Sequence, residues 1–303
     1  MDLADDHKQR KLESYWSNLV EGANGIYKAA VIDRLIQDHF EGTAEALLDI
    51  GVGTSAIALE HRRRLKAPRL VCADYDAKVV EESKQAFGDG TIEWRVADIF
   101  DIDQWTERFD LVFLLDMVHE VYSFYGRPNR DTDEPIDHDL GIKRSVEAMR
   151  KVASLVKVGG GIIISDNILT EERGPVRVRV KNENTRKAVE YFFENYRSRQ
   201  MRPTWSGTTF ELPSRDFCIL LTQYNKIKQQ KWERWNVERL EVHQYMSESE
   251  YRKMFEELGF RMHIEIGTPE DARKEWDEDF EVVAGRDGLP PKRVTLIAIR
   301  EKA

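Results

Sequence analysis

The stretch Leu47-Leu48-Asp49-Ile50-Gly51-Val52-Gly53-Thr54-Ser55 reads as a short buried strand that runs into a glycine turn and then opens a helix. Glycine adopts the backbone angles of a sharp turn and lets the chain come close to a ligand. The first amides of the helix predicted from Ser55 to about Leu65 point back at the same place, so the loop is suited to a nucleotide cofactor. Asp49 narrows the choice. A carboxylate just ahead of the glycines repels a pyrophosphate and attracts a cationic amino group. The turn alone is ambiguous, because Gly51-Val52-Gly53-Thr54-Ser55-Ala56 also satisfies the loose dinucleotide pattern G-x-G-x-x-A.

Spacing downstream decides. Leu70-Val71-Cys72-Ala73-Asp74-Tyr75-Asp76 is a second apolar strand ending in acid, at about the separation where a carboxylate receives ribose hydroxyls. A third strand, 92 to 97, ends at Asp98-Ile99, and a fourth, 109 to 115, ends at Asp116. After a helix, a fifth runs from Leu155 to Asp166. A lone Asp at a strand end reflects the turn preference of that residue. Four of five strands finishing in acid behind a glycine loop mark one ligand edge. Near the C-terminus, Ser247-Glu248-Ser249-Glu250 opens a helix through Leu258, Gly259 stops it, and strands follow at 260–266 and 293–300.

In order and spacing these segments, over roughly residues 45–170 and again from about 243, resemble the motifs of class I S-adenosylmethionine-dependent methyltransferases. The resemblance implies an α/β protein: a doubly wound, seven-stranded, mostly parallel sheet of the Rossmann-like methyltransferase type, its seventh strand antiparallel. It implies S-adenosyl-L-methionine as donor and S-adenosyl-L-homocysteine as product. It places Asp49, Gly51 and Gly53 around the methionine end, Asp74 on the ribose hydroxyls, and Tyr75 against the adenine face. Asp98 and Ile99 fall at the adenine edge, Asp116 lines the floor beneath the methyl, and Tyr27 sits near the donor. The chain departs from the family in carrying Ser55 where a third glycine is frequent; serine is small and favourable at a helix start.

Methyl transfer needs alignment of nucleophile, methyl and sulfur, and a base only where the nucleophile carries a proton. Candidates near Asp116 are His119 and Glu120, with His243 and Tyr245 ahead of the Ser247 helix. Asp116 with Asp166-Asn167 also resembles the ligand set of cation-dependent catechol-type O-methyltransferases, which suits Mg2+. That subfamily lacks the long insertion found here, so no metal ligand is assigned and Mg2+ stays the disfavoured alternative.

Three parts are expected: an N-terminal helical lid (1–42), the methyltransferase core (43–167 and 243–303), and a largely helical cap (168–242) over the substrate. The lid reads as two helices, one with Tyr15, Trp16, Leu19 and Val20 on a face, the next with Ile26, Tyr27, Ala30, Val31, Leu35 and Ile36. In the cap, helices are read at 184–201 and 214–231, split by Pro203-Thr204-Trp205-Ser206-Gly207. Aromatics crowd this segment, and from Arg173 to Trp235 fourteen Lys or Arg face six Asp or Glu, a balance of +8 against −9 for the whole chain. Arg177 and Arg179 alternate with Val176, Val178 and Val180, as along a half-buried strand.

These features favour a small, aromatic or anionic acceptor methylated at oxygen or nitrogen. Alternatives are an RNA or tRNA methyltransferase using the basic cap, and a non-catalytic donor-binding scaffold. The acidic isoelectric point of about 5.5 weighs against nucleic acid. A nicotinamide enzyme is least favoured. A homodimer is left open. Without a signal-like start or an apolar run of ~20 residues, the chain is expected to be cytoplasmic and not membrane-bound. Two cysteines, Cys72 and Cys218, give neither a disulfide framework nor a zinc knuckle.

Overall fold

Successive residues of a strand face opposite sides of its sheet. In β1 (Ala46–Ile50), Ala46, Leu48 and Ile50 join one hydrophobic core and Leu47 joins another. In β4 (Phe109–Leu115), Val112 and Leu114 join the first core, and Leu111, Phe113 and Leu115 the second. Strands apolar on both faces require helices on both faces. The computed structural model describes residues 23–52, 55–87, 90–129 and 132–301. The predicted helix bearing Tyr15, Trp16, Leu19 and Val20 lies outside them, as does Gly53.

The main sheet adds β2 (Arg69–Asp74), β3 (Ile92–Val96), β5 (Val156–Asn167), β9 (Phe260–Gly267) and β11 (Arg293–Arg300). The seven strands run in the order β3-β2-β1-β4-β5-β11-β9. β1 pairs parallel with β2 and β4, β2 with β3, and β4 with β5, whereas β11 runs antiparallel to both β5 and β9. This is the seven-stranded, mostly parallel sheet expected, with the last strand antiparallel. Helices Ala23–His39 and Ser55–Leu65 cover one face, through Val31, Ile32, Leu35 and Ile36 and through Ile57, Ala58 and Leu59. Helices Val118–Tyr125, His138–Ser154 and Glu248–Glu257 cover the other. The last of these starts where predicted: the Glu250 carboxylate accepts from the Ser247 amide at 2.7 Å, and Gly259 just beyond its end has φ 77°.

Over this second face lies the cap. Besides the expected helices, at Glu183–Asn195 and Ser214–Lys228 with a short one at Trp232–Glu238, it holds a second sheet. Four antiparallel strands, β6 (Pro175–Val180), β7 (Thr204–Ser206), β8 (Thr209–Pro213) and β10 (Phe280–Ala284), take the order β10-β6-β8-β7. In β6 the valines are buried and Arg177 and Arg179 exposed, as the alternation indicated. The stretch read as a turn-rich break is a hairpin in which Ser206 pairs with Thr209 across Gly207, at φ 63°. The crowded aromatics are largely the cap's own core: Phe192, Phe210, Phe217, Tyr224 and Trp235 are fully buried and continuous with the core beneath the main sheet. Cys72 and Cys218 are buried free thiols, and burial pushes Cys218 up to about 12. No helix among the described residues is long and apolar enough to cross a membrane.

Candidate active site

The ends of β1 to β4 open into a pocket lined by Ile50, Gly51, Asp74, Tyr75, Ala97, Asp98 and Ile99, and closed by Met117, Glu120, Val121, Phe124 and Tyr125. The turn after β1 works as the glycine pattern implied. Gly51 has φ 81° and donates to the Ala73 carbonyl at 2.9 Å. A side chain there would be strained twice over, since an added Cβ meets the Met117 Cβ at 2.9 Å. An L-residue in the left-handed region costs ~1–2 kcal/mol even without a clash. Gly51→Ala is therefore expected to abolish the thermal shift given by S-adenosyl-L-homocysteine, and an undiminished shift would show that the loop does not form the donor site.

The two downstream acids are held in place by their own loops. Asp74 Oδ1 accepts from the Asp76 amide at 3.0 Å, while its carbonyl receives the Ala97 amide at 2.8 Å, which ties the ends of β2 and β3 together. Asp98 Oδ1 accepts from the Phe100 amide at 2.9 Å, and Oδ2 from the Tyr125 hydroxyl at 2.6 Å. Asp49, fully buried in β1, precedes this wall. Tyr27 does not line the pocket; its hydroxyl packs against Gly267 at the end of β9.

Asp116 stands at the seam between this pocket and a second one. Its φ is 52°, a region in which Asp is among the better-tolerated side chains. One carboxylate oxygen binds Lys28, fully buried on the 23–39 helix, and the other binds Arg293 Nη2 at 2.5 Å. Burial would raise the Asp116 carboxyl, but Arg293 and Lys28 outweigh it and hold the group well below the usual carboxylate range. Met117 lines the first pocket and Asp116 the second.

The second pocket is polar and lies between the ends of β4, β5 and β11 and the cap helices. His119, Asn167, Thr222, Asn225, His243 and Gln229 line it, together with Lys226, Lys231, Arg234, Lys292 and Arg293. Its acids are Asp116 and Glu238. Glu238 is bound by both Lys226 and Arg234, the latter at 2.5 Å. Lys231 and Lys292 have no carboxylate partner among the described residues; the Lys292 ammonium lies 5.9 Å from the centre of the Trp276 ring. Burial, and then the neighbouring Arg293, pull Lys292 down to about 8.

His119 and His243 meet edge to face, ring centres 4.4 Å apart. His119 Nδ1 donates to Asp166 Oδ1 at 2.8 Å, its backbone amide donates to Asp166 Oδ2 at 3.1 Å, and Nε2 faces Glu241 Oε2 at 3.6 Å. Burial would lower this imidazole, but Asp166 and Glu241 together lift it to about 10. His243 is the opposite case: burial and the charge on His119 push it well below the ordinary value. Tyr245, fully buried, stacks on Tyr122 and shares a 2.7 Å hydrogen bond with Tyr251, away from both pockets.

A magnesium site on Asp116, Asp166 and Asn167 does not fit these contacts. Two cations occupy the oxygens of Asp116, and His119 takes those of Asp166. His119, Glu241 and His243 bring ligand-type atoms within 4.8 Å of one another. There too the local bonding disfavours an ion: the Gln223 amide, its Oε1 turned to Lys226 at 2.8 Å, faces His243 Nδ1 at 3.1 Å with its NH2. This leaves the proton of His243 on Nε2, pointing at Glu241 at 2.9 Å, where a metal would need a lone pair.

The structure thus gathers Gly51, Asp74, Tyr75, Asp98 and Ile99 in one pocket and Asp116, His119 and His243 in the adjoining one. Residues 47–125 match the family model described as a methyltransferase domain. The strand order and the loop geometry are those of the fold that the class I methyltransferase resemblance implied. Over 99% of its length it is similar in fold to the N-methyltransferase NodS from Bradyrhizobium japonicum WM9, solved with S-adenosyl-L-homocysteine, at 10% identity, 100% coverage of that chain and TM-score 0.52. The plantazolicin methyltransferase BpumL, solved with the same compound, is similar over 99% of this chain and 95% of that one, at 11% identity and TM-score 0.53. No curated protein matches the sequence.

Proposed function

We propose that the protein transfers the methyl group of S-adenosyl-L-methionine to oxygen or nitrogen of a small anionic acceptor. The observation that carries this reading is the meeting of two unlike pockets at Asp116 and Met117: one walled by the nucleotide-type acids and Tyr75, the other rich in lysine and arginine. A donor in the first would direct its methionine end toward the second. Cations there suit a carboxylate or phosphate, since charge-assisted hydrogen bonds are the strong ones. Three cap arginines outside the pocket are engaged with acids, Arg177 with Glu211 at 3.1 Å, Arg179 with Glu281 at 2.8 Å and Arg199 with Asp216 at 2.6 Å, which lessens the free positive charge a nucleic-acid groove would use.

The test is transfer of labelled methyl from S-adenosyl-L-methionine into cell extract separated into small molecules, RNA and protein. Label in the small-molecule fraction is expected, and label in RNA would replace this acceptor class. Lys292→Met should then raise the acceptor KM roughly tenfold to a hundredfold, the loss of one charge-assisted hydrogen bond, while S-adenosyl-L-homocysteine affinity stays unchanged. An unchanged KM would remove Lys292 from acceptor binding.

A further inference from the structure

The acceptor pocket is crowded with titratable side chains, yet among the described residues its histidines and carboxylates are all committed to one another or to cations. His119 is flanked by Asp166 and Glu241 and already carries both its protons. His243 accepts from Gln223 on one nitrogen and donates to Glu241 from the other, so neither is left for a substrate. Asp116 spans Lys28 and Arg293, and Glu238 spans Lys226 and Arg234. Tyr245 is sealed in the core against Tyr251. Against this stand two ammonium groups without a carboxylate partner, Lys231 and Lys292, beside three cations that are paired. The pocket offers cations to receive negative charge and no uncommitted histidine or carboxylate among the described residues.

We propose that the acceptor is a carboxylate whose own oxygen is the nucleophile, and that the product is a methyl ester; this rests on the methyltransferase reading above. A lone pair of the carboxylate oxygen forms the new O–C bond as the C–S bond breaks, and the bonding pair passes to sulfur. The sulfonium and carboxylate charges cancel, giving neutral ester and S-adenosyl-L-homocysteine, and no proton moves. An alcohol would have to lose its proton to a base. An amine would leave the pocket as a methylammonium among like charges, which is unfavourable at this range. Lys292 and Lys231 hold the acid while alignment across the Asp116 seam supplies the rate.

Esters of this kind release methanol in alkali, whereas N-methyl, ether and phosphate-ester products keep their label. The protein is incubated with methyl-labelled S-adenosyl-L-methionine and, in parallel, a deproteinised small-molecule extract and a panel of aliphatic, hydroxy and aromatic carboxylic acids. Products are treated briefly with alkali, and volatile label is counted. Most of the incorporated label is expected to become volatile, and to stay with the product in mild acid. Incorporation that survives alkali would overturn the ester while leaving methyl transfer intact. Absence of incorporation here, and also into the RNA and protein fractions of the whole-extract assay, would remove the methyltransferase reading and the ester with it.

Discussion

Replacing Asp74 with alanine is expected to lower the affinity for S-adenosyl-L-homocysteine by roughly two to three orders of magnitude. Ribose hydroxyls would make two charge-assisted hydrogen bonds with this carboxylate, each contributing ~1.5–3 kcal/mol. The side chain lies at the end of β2, only 8% exposed, and faces the pocket shared with Tyr75, Asp98 and Ile99. Within the loop its carboxylate also accepts from the Asp76 amide. Titration calorimetry gives the affinity, and the melting temperature of the unliganded variant guards against a folding defect. Near-normal affinity in a folded variant would detach Asp74 from donor binding and with it the central role of the first pocket.

Asp166→Asn should be the most destabilising single change near the second pocket. Asp166 accepts from the His119 ring, the His119 amide and the Asn167 amide, the last at 2.8 Å, and it is fully buried. An amide cannot accept on both sides, so it leaves a buried imidazolium short of its counter-charge. Breaking a buried pair in this way costs ~3–5 kcal/mol. The effect carries a pH signature. His119 is raised from its ordinary 6.5 to about 10 in the folded protein, so its contribution is complete below pH 6.5 and is lost as pH rises through about 10. The stability gap between wild type and variant, measured by urea unfolding, should be widest near pH 6 and shrink toward pH 10. A gap that is constant with pH would mean that His119 is not held protonated.

Much of the donor side was legible because it is written in contiguous code. Strand, glycine turn and helix follow one another from 47 to 65, and each later acid sits at the end of an apolar run, so spacing alone places Asp74, Asp98 and Asp116 on one edge. The acceptor side is assembled otherwise. Lys28 comes from the first described helix, Lys226 and Glu238 from two cap helices, and Lys292 and Arg293 from the start of the last strand. No local pattern links residues so far apart. Glu241 was the nearest to detection, two residues ahead of His243, to which it is bonded at 2.9 Å. Adjacency in sequence misleads as easily: Tyr245 stands two residues after His243 yet turns into the core against Tyr122 and Tyr251. The second sheet was partly hidden for a related reason. β7 has three residues, too few to show a period, and β10 pairs with a strand about a hundred residues earlier in the chain.

The cap's sheet draws β6, β7 and β8 from one part of the chain and its edge strand β10 from beyond β9. The two contributions are joined again at Asp279, which binds Thr185 at 2.6 Å, Tyr224 at 2.8 Å and Lys228 at 2.6 Å. Under the proposed function, acceptor preference is therefore not a transplantable cassette. A chimera that exchanges residues 168–242 alone would confront a foreign β6 with the native β10 and a foreign helix with the native Asp279. New specificity is more accessible through substitutions at the pocket wall, or through exchange of both segments together.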